Sequence, residues 1–303
     1  MAIHLDPTLS AQGLRAQLYA GDLVLLTQLR AVTKMVAHTR AHLEALFAPH
    51  DPELAHEQYS PAELATMLGT WKPKFIHDER STQIVRDIVR QIGFAPTKTH
   101  YDVPKPRTSF PVGHLTTGIA FAFPWHRDVW YSAPAQQINW WLPIYPVRAD
   151  NAMRFDTACF DRPVPNDSAK FDYYRHNVGR KTIATQVTVE VQARPSAPAH
   201  PTQAEVIVLP PPGSILLFSG AHLHATVPNT SGLSRYSVDF RTVDVDDLVA
   251  GVGAALVDVA CTGTAIRDFR NVDDNRPFAE ATIEQLFGAS PSEAVLVYEP
   301  GQS

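Results

Sequence analysis

The sequence predicts a mostly β fold with helices packed at both ends. Helical periodicity of apolar residues dominates about the first 95 residues, and from residue 115 to about 245 short extended runs alternate with Pro, Gly, Asn and Asp. The 25 prolines outnumber the 15 glycines and cluster in the middle of the chain. There they end strands, because proline has no N–H to give to a ladder. Such a series is typical of a sandwich or barrel of antiparallel strands.

The front section, residues 1–95, is predicted to be helical and to pack on the barrel. From Val24 to Phe47 the apolar residues recur at intervals of three and four, which predicts a long amphipathic helix. Two further helices are predicted, from about Pro61 to Leu68 and from Ser81 to Ile92.

The central section, residues 96–245, is predicted to supply the strands of the core. These are Leu115 to Phe123, Gln136 to Tyr145, Lys181 to Val191, Ala204 to Leu209, Ser214 to Phe218 and Leu233 to Val243. Residues 246–303 are predicted to form a C-terminal helical extension. The sequence contains no internal repeat and no low-complexity linker, so we expect one structural domain in all. The connection from residue 147 to 203 is long, and the sequence assigns it no role.

Composition narrows the class of partner. The net charge is -5 at pH 7, the pI is near 6.2, and no run of Lys or Arg is longer than a pair. These values argue against nucleic acid or an anionic membrane as a partner. No stretch approaches the roughly 20 apolar residues of a bilayer-spanning helix, and the start shows no apolar signal segment. The two cysteines allow at most one disulfide. We expect a cytoplasmic protein that binds a small molecule.

The pair His126 and Asp128 is a candidate for half of a metal site. It follows an extended run, and on a strand two residues that are two apart point to the same side. Two histidines and one carboxylate on one face leave open positions at non-haem Fe(II). The same spacing occurs at His4/Asp6, in a terminus that we expect to be loose, and at His100/Asp102, which is followed by Val-Pro-Lys-Pro. Only His126/Asp128 lies between two well-defined predicted strands.

The third metal ligand is expected from the segment after the strand Ser214 to Phe218. This segment contains His222 and His224, whose spacing directs both to one side. Downstream, the predicted strand Leu233 to Val243 carries Arg235, which we expect to be buried. A buried guanidinium needs an anionic partner, because an unpaired buried charge costs several kcal/mol or more. A dicarboxylic cosubstrate would supply that partner through a bidentate interaction.

With these residues in place, the sequence resembles the Fe(II)/2-oxoglutarate-dependent dioxygenases, in particular the phytanoyl-CoA dioxygenase-like branch. The resemblance rests on Trp125 to Asp128, on His224 through Ser231, and on Arg235, and covers about residues 95 to 245. In that branch the distal metal histidine precedes an Asn-x-Ser and lies eleven residues before the arginine that holds 2-oxoglutarate. That spacing fits His224 and not His222. The resemblance implies a double-stranded β-helix, the jelly-roll barrel also found in cupins.

The resemblance also implies an activity and further site residues. The expected cofactors are Fe(II), 2-oxoglutarate and O₂, with succinate and CO₂ as products. Related halogenases lack the carboxylate ligand, so Asp128 favours hydroxylation or desaturation of a small molecule. Ser237, two residues after Arg235, resembles the serine that grips the same carboxylate of 2-oxoglutarate. Thr116, with Thr117, lies in a region that often touches 2-oxoglutarate in the family.

Other residues near the metal pair are candidates for the pocket. Gln137 and Asn139 alternate with apolar neighbours, and either they contact cosubstrate or substrate or they face solvent. Arg241 shares the inward direction of Arg235 and binds a substrate carboxylate or a structural aspartate. The crowded aromatic side chains are either core or walls of the substrate pocket; they are Trp125, Trp130, Tyr131, Trp140 and Trp141.

Two further segments and two rival functions remain. Arg127 should point away from the metal, at the surface or mouth of the site. Tyr173 to His176 form either a lid or a solvated polar loop. A cupin-like metal enzyme that does not use 2-oxoglutarate would not need Arg235. A non-catalytic jelly-roll binding protein would use its histidines only structurally, because fold alone does not carry function.

Overall fold

The computed structural model describes residues 1–116, 118–176, 194–198 and 202–289. Thr117 and the predicted strand Lys181 to Val191 lie outside these residues. No helix in the described part of the chain is both long enough and apolar enough to span a membrane.

Seven helices of the described residues form two groups, one before and one after the strand-rich centre. The first group is α1 (Ala11–Tyr19), α2 (Arg30–Phe47), α3 (Ala55–Gln58), α4 (Pro61–His77) and α5 (Glu79–Gln91). The second group is α6 (Val245–Ala250) and α7 (Glu280–Phe287). Short 3₁₀ turns occur between them at Pro52–Leu54, Gly118–Ala120, Asp128–Tyr131, Ser168–Lys170 and Ala265–Asp268.

Local sequence explains where α4 and α5 begin. Ser60 and Glu63 form a capping box, in which each side chain accepts a hydrogen bond from the other residue's backbone, and Pro61 occupies the first turn. Asp78 accepts a hydrogen bond from the backbone N–H of Ser81 and caps α5. α4 continues through Pro73 to His77, beyond the Leu68 expected from the sequence.

Two sheets make up the centre. The larger has the order β1 (Ile3–Leu5), β2 (Leu23–Leu26), β8 (Ile215–Ser219), β5 (Ile138–Pro143), β10 (Arg235–Asp244), β3 (Thr99–Tyr101) and β11 (Arg270–Asn271), with β4 (Lys105–Ser109) also paired to β10. The smaller has the order β7 (Glu205–Val208), β6 (Met153–Asp156), β9 (His224–Thr226). Phe155 of the smaller sheet packs against Phe218 of the larger, so the sheets are stacked. The described strands do not join into one closed barrel.

The larger sheet separates an apolar layer from a polar cavity. Its outer face packs against the front helices, and Tyr236, Val238 and Phe240 of β10 belong to that core cluster. The alternate residues of β10 face the cavity instead, as the period of two along a strand requires. The sequence-based expectation of a sheet-rich fold with flanking helices is therefore confirmed.

Several local predictions were wrong. The long helix begins at Arg30, because Leu23–Leu26 forms β2 between β1 and β8. The front section therefore contributes two strands to the larger sheet. Leu115 to Phe123 is not a strand, since its described part is irregular around the turn Gly118–Ala120.

Candidate metal centre

Three side chains come together at the junction of the two sheets. The side chains of His126, Asp128 and His224 offer donor atoms that all lie within 4.8 Å of one another, and all three residues are buried. Asp128 Oδ1 lies 3.6 Å from His126 Nε2 and 3.9 Å from His224 Nε2. The two imidazole rings are 4.2 Å apart, centroid to centroid. Two nitrogens and one oxygen thus converge on a single point.

Both imidazoles are held in the orientation that a metal ligand needs. His126 Nδ1 lies 2.8 Å from the carbonyl oxygen of Pro124, and His224 Nδ1 lies 2.9 Å from that of His222. A ring nitrogen that donates its proton to a carbonyl leaves the lone pair of the other nitrogen free. Each Nε2 can therefore bind a cation. Burial lowers the pKa of His224 to about 3, so this ring stays neutral at pH 7.

The carboxylate of Asp128 is also oriented by its neighbours. Gln137 Nε2 donates a hydrogen bond to Asp128 Oδ2 at 3.0 Å, and Arg241 Nε lies 3.6 Å from the same oxygen. Oδ1, the oxygen nearer to both histidines, is left to a metal. Burial by itself would raise the pKa of Asp128, but the neighbouring imidazole of His126 and the charge of Arg241 outweigh it and lower the pKa below its ordinary value. The group is anionic at neutral pH.

The backbone that brings the three residues together differs from the expected single strand. His126 and His224 exchange backbone hydrogen bonds of 2.9 Å as an isolated antiparallel bridge. Asp128 opens the 3₁₀ turn Asp128–Tyr131. Gly220 lies beside this turn, and a Cβ at this position would come within 3.3 Å of Gln137 Nε2 and 3.5 Å of Asp128 Cβ. The absence of a side chain at Gly220 lets β8 approach the site closely.

The competing histidines have structural surroundings. His222 is fully buried between the carbonyl oxygens of Ser219 and Gly21, each 3.1 Å from a ring nitrogen. His100 stacks on Phe278 with ring centroids 3.7 Å apart. His4 lies in β1, paired at 2.8 Å with Asp22, so the terminus is not loose.

A second group could also hold a metal ion in the described residues. His38, His42 and Asp78 have donor atoms within 4.8 Å of one another at the packing of α2 on α5. There the oxygen of Asp78 nearest His38 already accepts hydrogen bonds from the backbone and hydroxyl of Ser81. This group also does not line the central cavity.

A cavity of about 540 Å³ opens beside His126, Asp128 and His224. Arg235 lines it and is 7% exposed, yet its Nε and Nη1 have no hydrogen-bond partner among the described residues. Ser237, two residues along β10, has a buried hydroxyl that finds no partner among the described residues, although Ser237 is not one of the described residues that line the cavity. The guanidinium lies 5.6 Å from the centre of the Trp141 ring. Burial lowers the pKa of Arg235 to about 10, which leaves it charged at neutral pH. Among the described residues, Arg235 thus supplies a buried positive charge with unused donors, and Ser237 supplies a buried hydroxyl without a hydrogen-bond partner.

The polar residues of β5 face the cavity and not the solvent. Asn139 is buried, lines the cavity and accepts a hydrogen bond of 2.9 Å from Gln137. Arg241 also lines the cavity, but its Nη1 donates to Asp102 at 3.0 Å. Of the two roles predicted for Arg241, the structure favours pairing with a structural aspartate.

Three expected positions are wrong or unsupported. Trp130 is fully buried away from the cavity, where its indole N–H donates to Asp258 at 2.8 Å, so it is a core residue. Arg127 is 1% exposed, not at the surface; its guanidinium donates to Asp258 and to several backbone carbonyls. Thr116 is not among the described residues that line the cavity, and its carbonyl accepts a backbone hydrogen bond from Ala122.

The aromatic wall is partly as predicted. Tyr131 lines the cavity, meets the His126 ring edge to face at 5.6 Å and donates its hydroxyl to the carbonyl of Pro195. Tyr173 and His176, from the segment proposed as a lid or loop, also line the cavity.

Sequence reasoning missed the cationic residues from other elements. Lys72 of α4 and Arg107 of β4 line the cavity. Lys72 lies on a helix in the predicted front section, and no local pattern links it to residues that follow it by fifty positions or more. The alternation of charged residues in Lys105–Ser109 could have marked β4 as a strand with one polar face.

Comparison with known proteins gives structural neighbours only. No family model matches the chain, and no curated protein matches it. Among solved structures, EvdO2 from Micromonospora carbonacea var. aurantiaca complexed with 2-oxoglutarate is 12% identical, with 80% of this chain and 93% of that one covered and a TM-score of 0.47. SnoN, a non-heme alpha ketoglutarate dependent epimerase from nogalamycin biosynthesis, is 14% identical, with 86% and 99% covered and a TM-score of 0.42. Because these values are low, the function is argued from the residues of this chain.

Proposed function

We propose that this chain is a non-haem Fe(II)- and 2-oxoglutarate-dependent oxygenase that hydroxylates, or desaturates, a small molecule. The observation that carries the proposal is the presence of two complementary features in one cavity. One is the convergence of His126, Asp128 and His224, and the other is Arg235, a buried cation without a described hydrogen-bond partner on two of its nitrogens. We infer that the stacked sheets belong to a jelly-roll of the phytanoyl-CoA dioxygenase-like branch.

The donor set fits Fe(II). Two neutral imidazoles and one carboxylate on one face of an ion leave positions for cosubstrate and O₂. His126 and His224 would bind through Nε2, since each Nδ1 is held by a carbonyl, and Asp128 would bind through Oδ1. When bound, Fe(II) and 2-oxoglutarate supply the activation of O₂, in which 2-oxoglutarate becomes succinate and CO₂ and one oxygen atom oxidises the substrate.

Arg235 and Ser237 fit the distal carboxylate of 2-oxoglutarate. The planar guanidinium can donate two parallel hydrogen bonds to a carboxylate, and its unpartnered Nε and Nη1 are available for them. Ser237 can add a third donor. Binding would neutralise a charge that is otherwise buried at a cost. This requirement for an anion separates the proposal from a cupin-like metal enzyme without 2-oxoglutarate and from a non-catalytic binding protein.

The remaining residues position the reactants and exclude water. Gln137 fixes the carboxylate of Asp128 and is itself fixed by Asn139. Tyr131, Phe121 and Phe123 line the cavity, where an apolar wall limits the access of water to a reactive centre. A cavity of about 540 Å³ suits a small-molecule substrate.

Anaerobic calorimetry tests the proposal with Mn(II) in place of Fe(II). We expect one Mn(II) per chain at the central site and 2-oxoglutarate binding that strengthens markedly once the metal is present. Asp128→Asn keeps the shape of the side chain but removes the charge, so metal affinity should fall steeply. The proposal fails if 2-oxoglutarate binds equally well without metal, or if Asp128→Asn binds Mn(II) as the wild type does.

A further inference from the structure

The wall of the cavity formed by α4 carries a buried lysine. Gly69, Lys72, Pro73, Ile76 and His77 line the cavity, at the spacing of one helix face. Lys72 is 7% exposed, and its ammonium donates a hydrogen bond of 2.7 Å to the carbonyl of Ile119. An ammonium has three N–H donors, and no carboxylate among the described residues lies within ion-pair distance of it. Lys72 is therefore a buried amine whose hydrogen-bond donors are not all used by the described residues.

The surroundings of Lys72 do not supply its counter-charge. Arg107 and Asp239 are the charged groups that act on it, and Arg107 Nε is already paired with Asp239 at 2.8 Å. Burial, together with the nearby Arg107, lowers the pKa of Lys72 to about 7. A negative group placed beside Lys72 would raise this pKa again, because it stabilises the ammonium form.

The charges around the cavity also favour a negatively charged substrate. The described lining contains six cationic side chains and four carboxylates: Lys72, Lys105, Arg107, Arg194, Arg235 and Arg241, with Asp102, Asp128, Asp239 and Asp268. A divalent metal and dianionic 2-oxoglutarate would add equal and opposite charges, so they would leave the excess of positive charge in this lining unchanged. A substrate with negative charge would reduce it.

There is also room beside Lys72. Gly69 lies one helical turn before it, and a Cβ built at Gly69 meets no atom within 4 Å. Pro73 has no N–H, so the Gly69 carbonyl lacks its usual helical donor four residues on. This part of the wall offers open space next to Lys72.

We propose that Lys72 is the binding residue for an anionic group of the substrate, a carboxylate or a phosphate, held against the Gly69 face of α4. This assignment rests on the proposed function, since it names the substrate class of the same cavity. It places the anion at the α4 wall and leaves Arg235 to 2-oxoglutarate. The apolar part of the substrate would lie along Phe121 and Phe123.

Calorimetric titration with three small aromatic probes tests the assignment on protein loaded anaerobically with Mn(II) and 2-oxoglutarate. Phenylacetate carries a carboxylate, phenyl phosphate carries a phosphate, and 2-phenylethanol is a neutral compound of similar size. We expect at least one anion to bind 10-fold or more tightly than the alcohol, and the stronger of the two anions identifies the group. Equal affinity for anions and alcohol, or no binding of either anion, overturns the proposal.

Matched variants separate binding from a structural role. Lys72→Met should weaken the preferred anion about 10-fold or more, leave 2-phenylethanol unchanged and keep the affinity for 2-oxoglutarate, whereas Lys72→Arg should retain most of the anion affinity. Gly69→Leu should weaken all three probes by filling the space. Lys98→Met, at a half-exposed surface lysine paired with Asp246, should change nothing. If Lys72→Met weakens anion and alcohol equally, or lowers 2-oxoglutarate affinity, Lys72 is not the anion site.

The same titrations in Arg235→Leu protein make the outcome independent of 2-oxoglutarate. In that background the guanidinium proposed to hold 2-oxoglutarate is gone, so anion binding in the absence of cosubstrate reports on Lys72. Failure of 2-oxoglutarate to bind wild-type protein would refute the proposed function, while loss of the anion preference in both backgrounds would refute only the role of Lys72.

Discussion

Replacement of Arg235 by leucine should affect cosubstrate binding and stability in opposite directions. Without Arg235 the distal carboxylate of 2-oxoglutarate would be buried unpaired, a loss of about 2–5 kcal/mol or roughly 30- to 5,000-fold in Kd. The protein without ligand should not be destabilised. The lowering of the Arg235 pKa to about 10 corresponds to an unfavourable free energy of roughly 3 kcal/mol for the charged group. That penalty applies at every pH below about 10, and leucine removes it.

Anaerobic calorimetry of 2-oxoglutarate into the Mn(II) protein, with denaturant unfolding of the metal-free protein, measures both effects. Arg235→Lys should lie between wild type and leucine, because it keeps the charge and loses the planar pair of donors. Arg276→Leu is the matched control, since that side chain is 83% exposed. Unchanged affinity for 2-oxoglutarate in Arg235→Leu would refute the cosubstrate assignment. A marked loss of stability without ligand would show that Arg235 has a structural partner.

Four further predictions concern the surroundings of the site. His224→Ala should abolish Mn(II) binding. His222→Ala should keep it and lower the free energy of unfolding by about 1–3 kcal/mol, since a buried carbonyl loses its N–H partner. Metal titration of both variants checks this prediction, and the reverse ranking would exchange the two roles. Gln137→Leu should weaken metal affinity about 10- to 100-fold, because it releases the carboxylate of Asp128. An unchanged affinity would show that the hydrogen bond from Gln137 does not orient this carboxylate for the metal. Arg127→Met should lower the free energy of unfolding by about 3–5 kcal/mol, because it leaves the buried charge of Asp258 without its cation. A free energy of unfolding within about 1 kcal/mol of the wild-type value would contradict the buried position of Arg127. Burial lowers the pKa of His100 from 6.5 to about 4, so the unfolded chain binds more protons between these pH values. The free energy of unfolding should therefore fall as the pH decreases from 6.5 to 4. His100→Gln should flatten this part of the stability profile, and an identical slope in the variant would contradict the prediction.

The sequence predicts which side chains meet at the site better than it predicts the backbone structure that carries them. The spacing of His126, Asp128, His224 and Arg235 identifies four side chains that meet at one cavity, since each residue type is specific to its task. The local pattern does not reveal that His126 lies in an isolated bridge while Asp128 begins a 3₁₀ turn. Pairing of β2 with β8 was also missed, because a four-residue apolar run next to a helix has the same composition as the helix.

Long-range partners explain the remaining errors. Trp130 was a candidate for the pocket, and Arg127 was expected at the surface or mouth of the site. Both instead donate hydrogen bonds to Asp258, which lies more than a hundred positions away in the sequence. Arg241 looked like a second carboxylate-binding arginine, and Asp102 on another segment holds it. Nothing local to these residues specifies such partners, because they are set by how the sheets and connections pack.

The formation of succinate tests the central claim most directly. Protein given one equivalent of Fe(II) and one of 2-oxoglutarate without oxygen, and then exposed to air, should convert 2-oxoglutarate to succinate and CO₂ in equal amounts, with the second oxygen atom of O₂ consumed in oxidising the protein when no substrate is present. Asp128→Asn and Arg235→Leu should each abolish or greatly reduce this conversion, and Arg276→Leu should not. Full recovery of intact 2-oxoglutarate from wild-type protein that has bound its iron would contradict the account.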